Sequence, residues 1–149
     1  MGSEMCIRDR CADRAMPSPI RRVLIVDDEP QMAAMLQEVV STLGYAVFVA
    51  TTGPDAIRAV PEFQPDVVLL DITLPGIPGD LVLECLHGGD PDLPIVMLTG
   101  NTDPDLAVYT LARGAFDYIT KPFNVTRLGQ AIESALASRG AESPTGPSW

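Results

Sequence analysis

The 149 residues carry 20 acidic against 10 basic side chains, a formal net charge of −10, and are 46% hydrophobic and 20% charged. That is one domain's worth of ordinary globular chain, long enough for a proper core. The acidic balance argues against a phosphate-contacting nucleic-acid surface, since Arg21 and Arg22 are the only adjacent basic pair, and no apolar run approaches the ~20 residues a membrane span needs. One histidine, His87, leaves almost no material for a His-ligated metal or a His-based triad. Cys6, Cys11 and Cys85 form no metal or redox spacing, and their odd number suits a reducing compartment, the cytoplasm.

In chain order, residues 1–15 read as foreign to the fold. They lack the apolar stretch of a signal peptide, show no helical or strand period, and include "EMCIRDR", which resembles the translation of a transposon-end sequencing adapter. Met16 reads as the natural start. From there short apolar runs alternate with helix-length segments. The runs are Val23–Val26, Ala46–Ala50, Val67–Leu70, Ile95–Leu98 and Tyr118–Ile119. The segments predict helices over Pro30–Leu43, Pro54–Glu62, Asp80–Leu86, Pro104–Arg113 and Asn124–Ala137. In the first helix Met32, Met35, Leu36, Val39, Val40 and Leu43 recur at spacings of three and four, one apolar face. Pro30 and Pro104 stand where a first turn tolerates proline, and Gly44 and Gly114 where a helix stops. In the helix over Pro104–Arg113, Ala107, Leu111 and Gly114 read as the buried stripe, leaving Leu106, Val108 and Tyr109 nearer solvent. Cys85 reads as core. The end, 139–149, is small, polar and rich in Pro and Gly, a tail or the start of a linker.

Five strand–helix repeats with connections too long for hairpins imply an α/β fold, a doubly wound (βα)5 five-stranded parallel sheet covered on both faces. Ligands of such sheets bind at the carboxyl ends of the strands. There the sequence places Asp27 and Asp28 after the first run, Asp71 after the third, Thr99 after the fourth, and Lys121, the only lysine, after the fifth. Singly each has an ordinary reading as a helix cap, an Asx-turn or a solvated charge. Together, three carboxylates on one edge would repel and raise one another's pKa values. A hard divalent cation removes that repulsion, while a hydroxyl and an ammonium beside it provide donors for a phosphoryl group.

The segments "VLIVDDEP", "DVVLLDITLPGIPG", "PIVMLTG" and "GAFDYITKPF", in this order and spacing, resemble the receiver domain of bacterial two-component response regulators, with its flavodoxin-like, CheY-like fold. The resemblance covers Arg21 to about Ala137, within a receiver unit set at 16–138. It implies a phosphoacceptor signalling domain rather than a conventional enzyme, one that catalyses its own phosphoryl transfer and autodephosphorylation. Asp71 would take the phosphoryl group from a sensor histidine kinase or phosphotransfer protein. Mg2+ would be held by Asp28, Asp71 and the backbone carbonyl of Thr73, with Asp27 acting largely through water. Lys121 and Thr99 would bind phosphoryl oxygens, and the Lys121–Pro122 peptide would be cis. Thr99 and Tyr118 would form the switch, read out by a downstream protein target on the face of the fourth helix, fifth strand and fifth helix. Leu106, Val108 and Tyr109 suggest a partner surface or a phosphorylation-dependent homodimer, with no direct nucleic-acid binding and no membrane.

Two other functions have parts in common with this one. An aspartate-nucleophile phosphatase of the haloacid-dehalogenase type wants Asp-x-Asp on its nucleophile strand, whereas the residue two after Asp71 is Thr73. A receiver-like interaction module that is never phosphorylated would have no need of all five site residues. The chain also reads equally as a single-domain regulator or as the receiver fragment of a longer regulator or hybrid kinase.

Overall fold

The computed structural model describes residues 20–74, 76–100 and 104–145, with side chains through residue 138 except that of Pro104. The foreign-looking stretch 1–15, with Cys6 and Cys11, and Met16 lie outside the described residues. The elements are β1 (Arg22–Val26), α1 (Pro30–Thr42), β2 (Ala46–Ala50), α2 (Gly53–Phe63), β3 (Val67–Asp71), α3 (Gly79–Gly89), β4 (Ile95–Thr99), α4 (Pro104–Ala112), β5 (Asp117–Thr120) and α5 (Val125–Thr145).

All strand pairs are parallel, and the order across the sheet is β2-β1-β3-β4-β5. The chain therefore winds one way from β1 to β2 and the other way from β3 onward. Its switch point falls between β1 and β3, where the carboxyl ends of the strands open a crevice. Val23–Val26 and Val67–Leu70 are fully buried, as continuous β-branched and leucine runs must be when both sheet faces are covered. One face packs Leu24, Val68, Leu70 and Met97 with Ala56, Val82, Leu83 and Leu86. The other packs Ile25, Leu69 and Leu98 with Leu36, Val40, Leu128 and Ile132.

The helices follow the sequence signals with four corrections. In α1 the buried residues are Ala33, Leu36 and Val40, while Met35 and Leu43 are exposed; a helix over one sheet face buries a narrower stripe than the predicted one. Among the residues of α4 with described side chains the buried one is Thr110, and Leu111 is 45% exposed. The helix is apolar on most sides, so periodicity does not set its phase, and the Thr110 hydroxyl bonds to the carbonyls of Leu106 and Ala107. Cys85, expected in the core, is exposed on α3, whose buried residues are Gly79, Val82, Leu83 and Leu86. At the far end α5 continues to Thr145, through part of the stretch predicted as a tail, with no proline to stop it before Pro144. Gly44 and Gly114 do end their helices, with φ of 102° and 112°.

Candidate metal and phosphoryl site

The crevice at the switch point gathers the strand-end residues. Asp27 follows β1 directly and is fully buried; Asp71 closes β3 at 6% exposure; Asp28 is exposed at the rim. One carboxylate oxygen from each lies within 4.8 Å of the others. The backbone sets this geometry. The Asp27 amide donates to the Ala50 carbonyl (3.1 Å), and Asp27 Oδ1 accepts from the Glu29 amide (2.9 Å). The N-cap of α1 is Glu29, without a side-chain bond, so Asp27 makes an Asx-turn into the helix rather than capping it. Asp71 Oδ1 is held the same way by the Thr73 amide (3.0 Å).

Lys121 crosses from the end of β5. Its Nζ lies 3.2 Å from Asp71 Oδ2 and 3.7 Å from Asp27 Oδ2. The Lys121–Pro122 peptide is cis, and the Lys121 amide donates to the Thr99 carbonyl (2.7 Å), tying the β5 end to the β4 end. Thr99 is 1% exposed and pairs in register with Thr120. Tyr118 is half-buried against the cluster that contains Leu86 and Met97.

The electrostatics leave this arrangement unfinished. Burial raises the Asp27 carboxyl above its ordinary value; the Glu29 amide and Lys121 pull it down, and Asp71 and Asp28 push it up. Asp27 Oδ2 is buried and makes no hydrogen bond among the described residues. An oxygen-only donor set with one buried carboxylate oxygen that has a 3.7 Å ion pair to Lys121 but no hydrogen bond among the described residues fits a hard divalent cation. Nearby, Arg127 places both terminal nitrogens 3.2 Å from the Asp117 carboxylate and one 3.2 Å from the Tyr118 carbonyl, bracing β5 against α5.

The response regulator receiver domain family matches residues 23–133. The chain belongs to that family. A receiver domain protein from Methanospirillum hungatei, described as CheY-like, superposes with a TM-score of 0.79 at 30% identity, over 84% of this chain and all of that one. NtrX from Brucella abortus also superposes at 0.79, with 32% identity over 83% of this chain and 29% of its own. The transcriptional regulatory protein KdpE of Mycobacterium tuberculosis is 40% identical over 126 residues, 82% of this chain and 55% of KdpE. The DNA-binding response regulator MtrA of Mycolicibacterium smegmatis is 42% identical over 116 residues, 78% of this chain and 50% of MtrA. This chain thus spans about half the length of the curated relatives it matches.

Those relatives correct one expectation. The acidic charge led to an expectation of no direct nucleic-acid binding, yet similar proteins are named as transcriptional and DNA-binding regulators. The net charge of a receiver reports on the receiver stretch alone, and its sign carries no exclusion for regulators of this kind.

Sequence reasoning missed the Asp117–Arg127 brace and the role of Gly79. A Cβ on Gly79 would stand 2.5 Å from Ile72 Cα and 2.6 Å from the Asp71 carbonyl oxygen. The signal for Gly79 was the "PGIPGD" segment, a glycine opening a helix right after a proline. The brace had none, because Asp117 and Arg127 share no helical or strand spacing.

Proposed function

We propose that this receiver accepts a phosphoryl group on Asp71 from the phosphohistidine of a sensor histidine kinase or phosphotransfer protein, with Mg2+ bound. The observation that carries the reading is the environment of Asp71, which has the Lys121 ammonium 3.2 Å from one oxygen and carboxylate oxygens of Asp27 and Asp28 within 4.8 Å. One Asp71 oxygen attacks phosphorus in line. The O–P bond forms as the N–P bond breaks, and the leaving imidazole nitrogen keeps the electron pair and takes a proton from water. Such transfer asks the protein mainly for positioning and charge neutralisation.

The Thr73 amide fixes the rotamer of Asp71, and Lys121 Nζ, already at Asp71 Oδ2, supplies positive charge where the phosphoryl oxygens arrive. The Thr99 hydroxyl donates to one of those oxygens. Asp28 and Asp71, with the Thr73 carbonyl, would hold Mg2+ directly, and Asp27 through water. When bound, Mg2+ neutralises the acceptor carboxylates and the phosphoryl oxygens. Thr99 and the half-buried Tyr118 convert the modification into a changed α4–β5–α5 face, a local charge event biasing a two-state element. The unit that does this is 16–138. The names of the mycobacterial relatives support a place in transcriptional control for the regulator it serves. A cytoplasmic location belongs to the same reading; among the described residues no helix is long and apolar enough to cross a membrane.

Incubation with phosphoramidate, which carries the N–P bond of phosphohistidine, tests the function. A single phosphoryl adduct should form with Mg2+, fail to form with a chelator, and be released by hydroxylamine as an acyl phosphate. An adduct that forms without metal, or one stable to hydroxylamine, contradicts it.

A further inference from the structure

Helix α4 is held in an unusual way. Among its residues with described side chains only Thr110 is buried, and Thr110 spends its hydroxyl on its own helix. Val108 is 65% exposed and Leu111 45%. Apolar burial therefore anchors α4 weakly. Polar contacts to α3 take its place. The Tyr109 hydroxyl donates to Asp80 Oδ2 at 2.9 Å. Arg113, just past the end of α4, sets its Nε 3.1 Å from Glu84 Oε2 and lays its guanidinium 4.0 Å over the Tyr109 ring. Asp80 and Glu84 are four apart on α3, and Tyr109 and Arg113 are four apart on the other side. Asp80 and Glu84 share one face of α3, and the two pairs meet as a two-rung ladder.

The α3 side of the ladder is itself fixed to the phosphoacceptor. The Gly79 amide donates to the Ile72 carbonyl (3.0 Å), and its Cα sits so close to the Asp71–Ile72 backbone that a Cβ would collide there. Asp80 is the next residue. On the other side, α4 is the helix that follows the strand ending in Thr99.

We propose that the Asp80–Tyr109 and Glu84–Arg113 rungs clasp α4 to α3 and hold the Thr99 side of the phosphoryl site in place relative to Asp71. Tyr109 and Arg113 are then positioning residues for the transfer, a role that rests on the phosphoacceptor reading above.

The test compares wild type, Tyr109→Phe, Asp80→Ala, the double variant and Asp80→Asn in the full chain. It uses amide hydrogen exchange and the rate of phosphoryl gain from phosphoramidate at saturating Mg2+. In either disruptive single variant the amides of α4 should exchange roughly fivefold faster, with α1 and β1 unchanged. The double variant should be no faster still, because both substitutions remove one interaction. The rate of phosphoryl gain should fall about threefold with the Mg2+ midpoint unmoved, a split that a general loss of stability would not produce. Asp80→Asn keeps a carbonyl acceptor for the Tyr109 hydroxyl and should restore most of both. Unchanged exchange over α4 overturns the clasp. Faster exchange with an unchanged rate overturns the positioning role. If the wild type itself gains no phosphoryl group, the positioning role falls with the reading it rests on, while the exchange data still judge the clasp.

Discussion

At the scale of a single residue, Asp27 stands in conflict with its surroundings. Its carboxyl is fully buried, one oxygen has no hydrogen bond among the described residues, and two other carboxylates stand within reach. Burial raises its folded-state pKa above the ordinary 3.8, so the folded chain binds this proton more tightly than the unfolded chain. Ionising Asp27 then costs stability as pH rises through the raised value, and the cost is absent below 3.8. Asp27→Asn should therefore stabilise the metal-free protein at pH 7, by about 1–2 kcal/mol. The gain should shrink as pH falls toward the ordinary carboxylate range. On the proposed reading Mg2+ should stabilise the wild type, by an amount that grows with the ratio of metal to its dissociation constant, and the same substitution should remove much of that gain. Urea denaturation in chelator and in Mg2+, across pH, measures both effects; a metal-free variant less stable than wild type would contradict the assignment. The sequence showed Asp27 and its neighbours because adjacent acids after a buried strand are conspicuous. It did not show which oxygen would be left without a donor, since that depends on where the Glu29 amide and Lys121 come to rest.

Element-scale packing separates glycines that look alike in sequence. Gly79 and Gly88 both lie in α3, but a Cβ at Gly79 meets the backbone of Asp71 and Ile72, whereas at Gly88 it meets nothing within 4 Å. Backbone cannot swing aside as a side chain can. Gly79→Ala should cost roughly 1–3 kcal/mol and should also slow phosphoryl gain by displacing the Asp71 carbonyl. Gly88→Ala should be neutral or stabilising by up to about 1 kcal/mol, the helix preference of alanine over glycine. Equal effects in thermal denaturation would contradict this view of how α3 is docked. Strand and helix existence were legible throughout, because buried runs such as Val67–Leu70 and punctuation such as Pro30 and Gly44 are local signals. The phase of α4 was not legible. With Leu106, Ala107, Val108, Leu111 and Ala112 all apolar, periodicity gives no contrast, and a threonine that bonds its own carbonyls can be buried as readily as a leucine. The clasp through Asp80 and Tyr109 was hidden for a related reason, since residues 29 apart in sequence meet only when the sheet brings α3 and α4 together.

At the scale of the whole molecule the parallel order β2-β1-β3-β4-β5 explains why residues as distant in sequence as Asp27, Asp71, Thr99 and Lys121 end on one edge. Each stands at the carboxyl end of its strand, and the reversal of winding between β1 and β3 leaves that edge open. Alternation of runs and helices was enough to infer a parallel sheet covered on both faces, while the order of its strands is a finding of the structure; the family match over residues 23–133 agrees with the fold. The net charge, by contrast, misled when extended from this stretch to regulators that are about twice its length. On the proposed function Asp71 alone accepts the phosphoryl group. Intact mass of wild type and Asp71→Asn, each incubated with phosphoramidate and Mg2+, tests it most directly. A gain of one phosphoryl group in the wild type and none in Asp71→Asn is the predicted result; no gain in the wild type, or an equal gain in the variant, would contradict it.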